Sequence, residues 1–341
     1  MRLSTLFGNS FAVLLMSTIS AAAATSPAPE QVSGPVSHEN LSVYFVHRQS
    51  KAGPVPLTLQ EAPAKGAVRV SETGTVNTLT IENFGDEAVF VQAGDVVKGG
   101  RQDRTLTVSL LLPPKSGPIP IASFCVEHGR WSARGAEEAR SFASSASAVP
   151  LREMKLAMQA PLPAAPASEG VGLRQQKVWA GVAAAQERLA AATGADVRAK
   201  ISESSLQLAL ENKKLDDMRK AYVAALKAAG EAGDDIVGYV FAVNGKINSA
   251  EIYESNGLFR KMWPKLLDAS ATEAIANRAD AKAAPPEAKA AHAFLDAPAA
   301  APAKETPLKF GVNRIVRDSA EEVMFETSLA DGFVHRSYLA K

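Results

Sequence analysis

Residues 236–243, IVGYVFAV, are apolar on both alternating faces and lead through Asn244-Gly245 into a second strand-like run, KINSAEIY. A strand with no polar face belongs in the interior of a sheet that is covered on both sides. Asn-Gly supplies the two residues that tolerate positive φ, which a two-residue hairpin turn requires. Whatever else the chain forms has to be built around this buried hairpin.

Upstream, LSVYFVHR, AVRVSE, NTLTIEN, AVFVQAG, RTLTVSLLL and IPIASFCVE read as strands punctuated by Gly, Asn and Pro, with a short helix over LTLQEAPAK stopped at Gly66. From about 172 to 230 the period changes. Val178, Val182, Ala185, Leu189 and Ala192, then Leu215, Met218, Tyr222 and Leu226, recur at helical spacing, with Gly194 and Gly230 as stops. A further helix is expected from Leu258 to Ala276, interrupted by Pro264. At the end, EVMFETSLA and FVHRSYLA flank Asp331-Gly332. A two-residue loop there would set Phe325 opposite Tyr338 and leave His335 exposed on the other face.

Strands at both ends with helices between them predict a single α+β domain over 39–341. Its mostly antiparallel sheet is assembled from N-terminal, central and C-terminal strands and covered by the central helical segment. Residues 141–170 read as a small-residue linker and 278–306 as a flexible Ala/Pro-rich excursion.

The first 24 residues carry one arginine, an apolar run from Phe11 to Ile19 and then small residues, the pattern of a cleaved signal peptide. That run falls short of the roughly 20 residues needed to span a bilayer. The mature chain is therefore expected to be periplasmic or secreted, with residues 25–38 as a tether and no stable membrane insertion. Lys plus Arg (37) against Asp plus Glu (36) leaves no global field to favour nucleic acid. The single cysteine, Cys125, has no intramolecular partner for a disulfide.

The residues with chemistry cluster between 94 and 131, in GDVVKGGRQDR and FCVEHGRW. Gly94, Gly99 and Gly100 allow tight turns or close approach to a ligand, and Lys98, Arg101, Gln102, Arg104 and Arg130 supply donors suited to an anion. Trp131 could stack on a ring. The spacing is not that of a triphosphate-binding loop, because Lys98 precedes the glycine pair. Cys125 and Arg130 are separated by four residues, one fewer than in cysteine phosphatases, and Cys125 lies in a strand-like run, so a small buried side chain is expected. Glu127 and Asp103 are the candidate general bases. Adjacent Glu127 and His128 point to opposite faces of a strand, no histidine has metal-ligand spacing, and neither a metal nor a cofactor is expected.

Through the Gly94-Asp95 turn, Gly99 with Gln102, Asp103 and Arg104, and then Cys125, Val126, Glu127, Gly129, Arg130 and Trp131, the chain resembles a known family. It is the domain named for its association with ADP-ribosylglycohydrolases and rhodanese-phosphatase proteins. The resemblance extends across the helical segment to the 236–253 hairpin and implies a link to NAD-derived or ADP-ribose metabolism. Three functions remain open: a protein binding a small anionic ligand such as a nucleotide, an ADP-ribose-like molecule or a phosphosugar; a hydrolase of a phosphoester or N-glycosidic bond; and an envelope structural or interaction protein without a small ligand.

Overall fold

A computed structural model describes residues 30–159, 167–279 and 283–341. The signal-peptide reading of 1–24 lies outside the described residues, as do 160–166 of the expected linker and 280–282 of the expected excursion.

The chain begins with strands β1 (Gln31–His38), β2 (Leu41–His47) and β3 (Leu57–Thr58), then the one-turn helix α1 (Glu61–Ala64). It continues through β4 (Val68–Thr75), β5 (Thr78–Asn83), β6 (Val89–Val91), β7 (Asp95–Gly99), β8 (Arg104–Leu106), β9 (Leu110–Leu112), β10 (Gly117–Cys125) and β11 (Ser141–Ala148). Four helices follow: α2 (Arg152–Gln159), α3 (Ala167–Thr193), α4 (Leu206–Leu210) and α5 (Lys213–Gly230). The remainder is β12 (Ile236–Val243), β13 (Lys246–Tyr253), α6 (Asn256–Ala276), α7 (Ala288–Asp296), β14 (Ala303–Pro307), β15 (Asn313–Asp318), β16 (Glu322–Leu329) and β17 (Gly332–Ala340).

The fold is α+β. Its largest sheet is antiparallel and runs β1-β2-β12-β13-β17-β16-β15-β14, so it is assembled from N-terminal, central and C-terminal strands as the sequence implies. β12 is buried at every position, and the Asn244-Gly245 turn has φ of 51° and 74°. On one face of the sheet, Trp263 of α6 packs edge-on to Phe45 and Tyr239 at 5.7 and 5.3 Å between ring centres. The predicted stripe of α3 and α5 (Val178, Val182, Leu189, Leu215, Leu226) joins the same core. On the other face, Ala291 and Leu295 of α7 pack with Tyr44, Val46 and Val240.

That second cover corrects the reading of 278–306 as a flexible excursion. Two apolar positions four apart are enough to seat a nine-residue helix, yet too few to stand out in an alanine-rich background. The tether reading of 25–38, of which 25–29 lie outside the described residues, is likewise corrected over Gln31–His38, where β1 pairs along β2. As an edge strand with most side chains exposed, it carries none of the apolar alternation that marks a half-buried strand. The 141–170 linker also contains structure, β11 and α2. Small side chains in β11 hide its strand character.

The last hairpin closes one residue earlier than expected. Leu329 pairs with Gly332, and a bulge between Thr327 and Ser328 sets Met324, not Phe325, opposite Tyr338. His335 is buried, not exposed, because its face of the sheet is covered as well: at 2% exposure it meets Glu251 at 2.8 Å, stacks on Tyr253 and lies edge-on to Phe90.

Apart from the large sheet, strands β10-β5-β4-β11-β7-β8 close into a six-stranded barrel whose core contains Val70, Leu79, Ile81, Val97, Leu106, Ile119, Ile121 and Phe142. RTLTVSLLL is split between β8 of this barrel and β9, which pairs with β6 in a three-stranded sheet alongside β3. Within GDVVKGG, Asp95–Gly99 is β7, a barrel strand, with Gly94 and Gly100 flanking it.

Candidate functional site

The barrel brings the residues of GDVVKGGRQDR and FCVEHGRW together, and divides them into two groups. In the first, Asp103 and Glu127 are fully buried. Asp103 Oδ1 accepts from the Gly99 N–H (3.0 Å) and Arg134 Nη2 (3.1 Å), and its Oδ2 accepts from Arg134 Nη1 (3.0 Å) and Ser205 Oγ (2.7 Å). Glu127 Oε1 accepts from Arg130 Nε (2.8 Å), Arg134 Nη1 (3.3 Å) and Ser202 Oγ. Its Oε2 accepts from Arg130 Nη2 (2.7 Å) and the Asp103 N–H (2.9 Å). Each carboxylate oxygen therefore takes two or more donors, near the limit of its lone pairs.

Burial pushes the Glu127 carboxyl up, but hydrogen bonds from Arg130, Ser202 and the Asp103 N–H outweigh it and hold the group below the ordinary carboxylate range. Burial likewise works against the charged form of Arg134, and the bonds to Asp103 and Glu137 reverse that, keeping its pKa above the ordinary value. Arg130 turns its remaining N–H groups to the carbonyls of Gly100 (3.1 Å) and Gly99 (3.3 Å).

The two glycines are thus acceptors for a protein arginine, and their own N–H groups are taken as well, Gly99 by Asp103 and Gly100 by the carbonyls of Glu138 and Ser141. Gly100, at φ 54°, lies so close to the Phe142 ring that an added Cβ would sit 2.2 Å from it. Close packing, rather than access for an anion, explains that glycine. Ser205, the N-cap of α4, and the Leu206 N–H, which donates to the Val126 carbonyl, extend the cluster into the helical layer. The arrangement is a closed ionic staple between barrel and helices.

The second group occupies one end of the barrel. Arg104 and Leu106 alternate onto the same face of β8, turned toward the barrel core, and Glu72 follows Val70 in the same way on β4. Arg104 is 0% exposed. Its Nη1 donates to the Gln102 carbonyl (3.1 Å) and Gln102 Oε1 (3.4 Å), whereas Nε and Nη2 have no hydrogen-bond acceptor among the described residues. Glu72 Oε2 is 3.6 Å from Nη2. Trp131 lies over this end, with its ring 5.3 Å from the Arg101 guanidinium and 5.7 Å from that of Arg104, and it is 43% exposed. Arg101 has no ion pair among the described residues.

The remaining expected residues are elsewhere. Gly94 forms the turn before β7, at φ 96°. Lys98 pairs with Glu211 at 2.7 Å. Cys125 is buried as expected, its backbone held by Gln175. Burial pushes its thiol up to about 11, with Glu72 and Glu127 adding to the effect and Arg104 opposing it, so it is no thiolate. No group of three or more His, Cys, Asp or Glu among the described residues could hold a metal ion.

Sequence reasoning missed Arg134, Ser202, Ser205 and Glu72. Arg134 had a signal, since a second cation four residues after Arg130 can reach the same carboxylates. Glu72 and the serines had none, because barrel closure and helix docking bring them in.

Over residues 30–339 the chain matches the ARG and Rhodanese-Phosphatase-superfamily-associated Protein domain, and it belongs to that family. No curated protein and no solved structure matches it.

Proposed function

We propose that this chain binds a small anionic ligand bearing a planar ring, a nucleotide or ADP-ribose-like molecule, at the barrel end formed by Arg101, Gln102, Arg104 and Trp131. One observation carries this reading: a fully buried guanidinium whose Nε and Nη2 have no hydrogen-bond acceptor among the described residues, beneath an exposed tryptophan. Leaving such donors unmet costs about 1–3 kcal/mol, and an oxyanion meets them with charge-assisted bonds. Trp131, whose indole makes no hydrogen bond among the described residues, moves aside to admit the anion and then stacks on the ring, an interaction of about 1–3 kcal/mol. Arg101 holds the outer charge. The family's association with ADP-ribosylglycohydrolases supports the same ligand class.

The hydrolase reading is less well supported, because Glu127 and Asp103 already have their oxygens filled. The arginines of that closed cluster fit a structural role instead. Residues 1–24 support an extracytoplasmic setting, which N-terminal sequencing of the mature protein checks.

The test is a titration of the signal-free protein with ADP-ribose, AMP and inorganic phosphate, followed by melting temperature and tryptophan fluorescence. ADP-ribose and AMP are expected to raise the melting temperature and quench Trp131, with both responses lost in Arg104→Lys and Arg101→Ala. No response at millimolar ligand, or an equal response in Arg101→Ala and Trp131→Ala, removes this end of the barrel as a ligand site.

A further inference from the structure

A separate cleft of about 580 Å³ opens between the barrel and the helical layer, in the size range of small-molecule sites. Its barrel wall is the Ser144–Ser147 segment of β11, and its helical wall includes Gln207, Arg219 and Asp268. None of the residues proposed above for the anion lines it.

Two features indicate a built site. First, β11 leaves its ladder here. Ser144 pairs with Val97 and Ala148 with Asp95, so residues 145–147 stand opposite a single residue of β7. Such bulges re-aim side chains beside functional sites, and this one turns Ser144, Ser145 and Ser147 into the cleft. Second, two lining residues that are more than nine-tenths buried each keep an unmet polar atom. Gln207 is 4% exposed; its Nε2 donates to Glu211, while its Oε1 has no donor among the described residues. Arg219 is 6% exposed; Nη1 donates to Asp268 and Nη2 to the Leu210 carbonyl, while Nε has no acceptor among the described residues.

The chemistry left over selects the ligand. The cleft's charges are largely spoken for by one another: Lys98 with Glu211, Lys265 with the buried Asp95, and Arg219 with Asp268. Apart from Lys213, which is exposed and has no ion pair among the described residues, a charged ligand entering here would meet groups that are already paired. Among the buried lining groups, one amide acceptor and one guanidinium donor stay open, and three serines stand beside them, Ser145 already accepting from the Ser147 N–H; a hydroxyl can satisfy all of these because it both donates and accepts. The only apolar lining comes from Ala146, Leu210 and Pro264, so an oily ligand gains little.

We infer that this cleft is a second binding site, for a small uncharged polyhydroxylated molecule, a monosaccharide or polyol. The bulged serines and Arg219 Nε hold its hydroxyl oxygens, and Gln207 Oε1 accepts a hydroxyl proton.

The inference is tested by calorimetric titration of the signal-free protein with glucose, ribose, myo-inositol and glycerol, alongside glucose 6-phosphate and glycine as charged comparators. At least one neutral probe is expected to bind, more tightly than either comparator. Gln207→Leu is expected to weaken that binding at least tenfold, and Ser145→Ala, which leaves the helical wall intact, to weaken it several-fold, both with melting temperatures near wild type. Binding by none of the neutral probes at millimolar concentration overturns the inference. So does tighter binding of a charged comparator, or neutral binding that survives both substitutions. Trp131→Ala is expected to leave sugar binding unchanged, which keeps this site experimentally separate from the barrel end.

Discussion

Arg104 on a barrel strand and Arg134 in the connection between two barrel strands are both buried, at 0% and 6% exposure, and their surroundings differ in kind. Arg134 spends its guanidinium on Asp103, Glu127 and the partly exposed Glu137, and the oxygens of Asp103 and Glu127 are filled in turn by Arg130, Ser202, Ser205 and backbone N–H groups. Arg104 has one nitrogen bonded to Gln102, and a carboxylate near its Nη2 but beyond hydrogen-bond reach. A buried polar network whose members are all satisfied makes the fold rigid and specific, whereas a half-satisfied one marks a place where something else binds or moves. The contrast teaches that charge clustering in a sequence locates a polar centre without saying which of its members are free.

The largest effect expected from this contrast is in the closed cluster. Arg134→Met leaves Asp103 and Glu127 buried with too few donors, and breaking a buried pair from one side costs about 3–5 kcal/mol. Urea unfolding of the variant measures it. Arg104→Met is expected to cost less, about 1–2 kcal/mol, because Glu72 keeps the N–H groups of Thr73 and Gly74 at 3.1 Å. Equal losses in the two variants would mean that Arg104 is as fully engaged as Arg134, and the distinction between closed and open ends would fail.

Acid titration sharpens the comparison next. Glu127 is held below the ordinary carboxylate value of 4.5. A depressed acid contributes stability that is fully present above its unfolded-state pKa and is lost as pH falls through the folded one. The wild type should therefore lose stability below about pH 4.5, and Glu127→Gln, already deprived of the ionised form, should show a flatter acid limb. Urea midpoints taken between about pH 5 and pH 3 give the two slopes. Parallel slopes would show that the cluster does not set acid stability.

The legible parts of this molecule were those specified by local pattern. IVGYVFAV, Asn244-Gly245 and the α3 and α5 stripes carry their own instructions, and each forms as read. The misses follow from long-range pairing. β1 is a strand because β2 offers it an edge, β11 because β4 and β7 hold it, and α7 because a sheet face needed covering. The last hairpin turns at Ala330-Asp331, one residue before the Asp331-Gly332 pair, and the bulge at Thr327/Ser328 that then resets its register has no local signal in the sequence. At the site, the sequence placed Arg101, Arg104 and Arg130 in one group. Their separation depends on Glu72, Ser202 and Ser205, which lie 29 or more residues from the arginines they sort.

The smallest expected effect on stability is also the most direct test of the open end. Arg101→Ala and Trp131→Ala remove side chains that make no hydrogen bond or ion pair among the described residues, so each should fall within about 0.5 kcal/mol of wild type. Their consequence should appear instead in ligand response, because Trp131 is the exposed member of three tryptophans, of which Trp263 is fully buried and Trp179 donates to the Glu127 carbonyl. Trp131→Ala should therefore lose most of any ADP-ribose-dependent quenching while melting like wild type. A variant that instead melts several degrees lower would show that Trp131 acts as a structural plug for Arg104, and the open end would then be closed by the protein's own tryptophan.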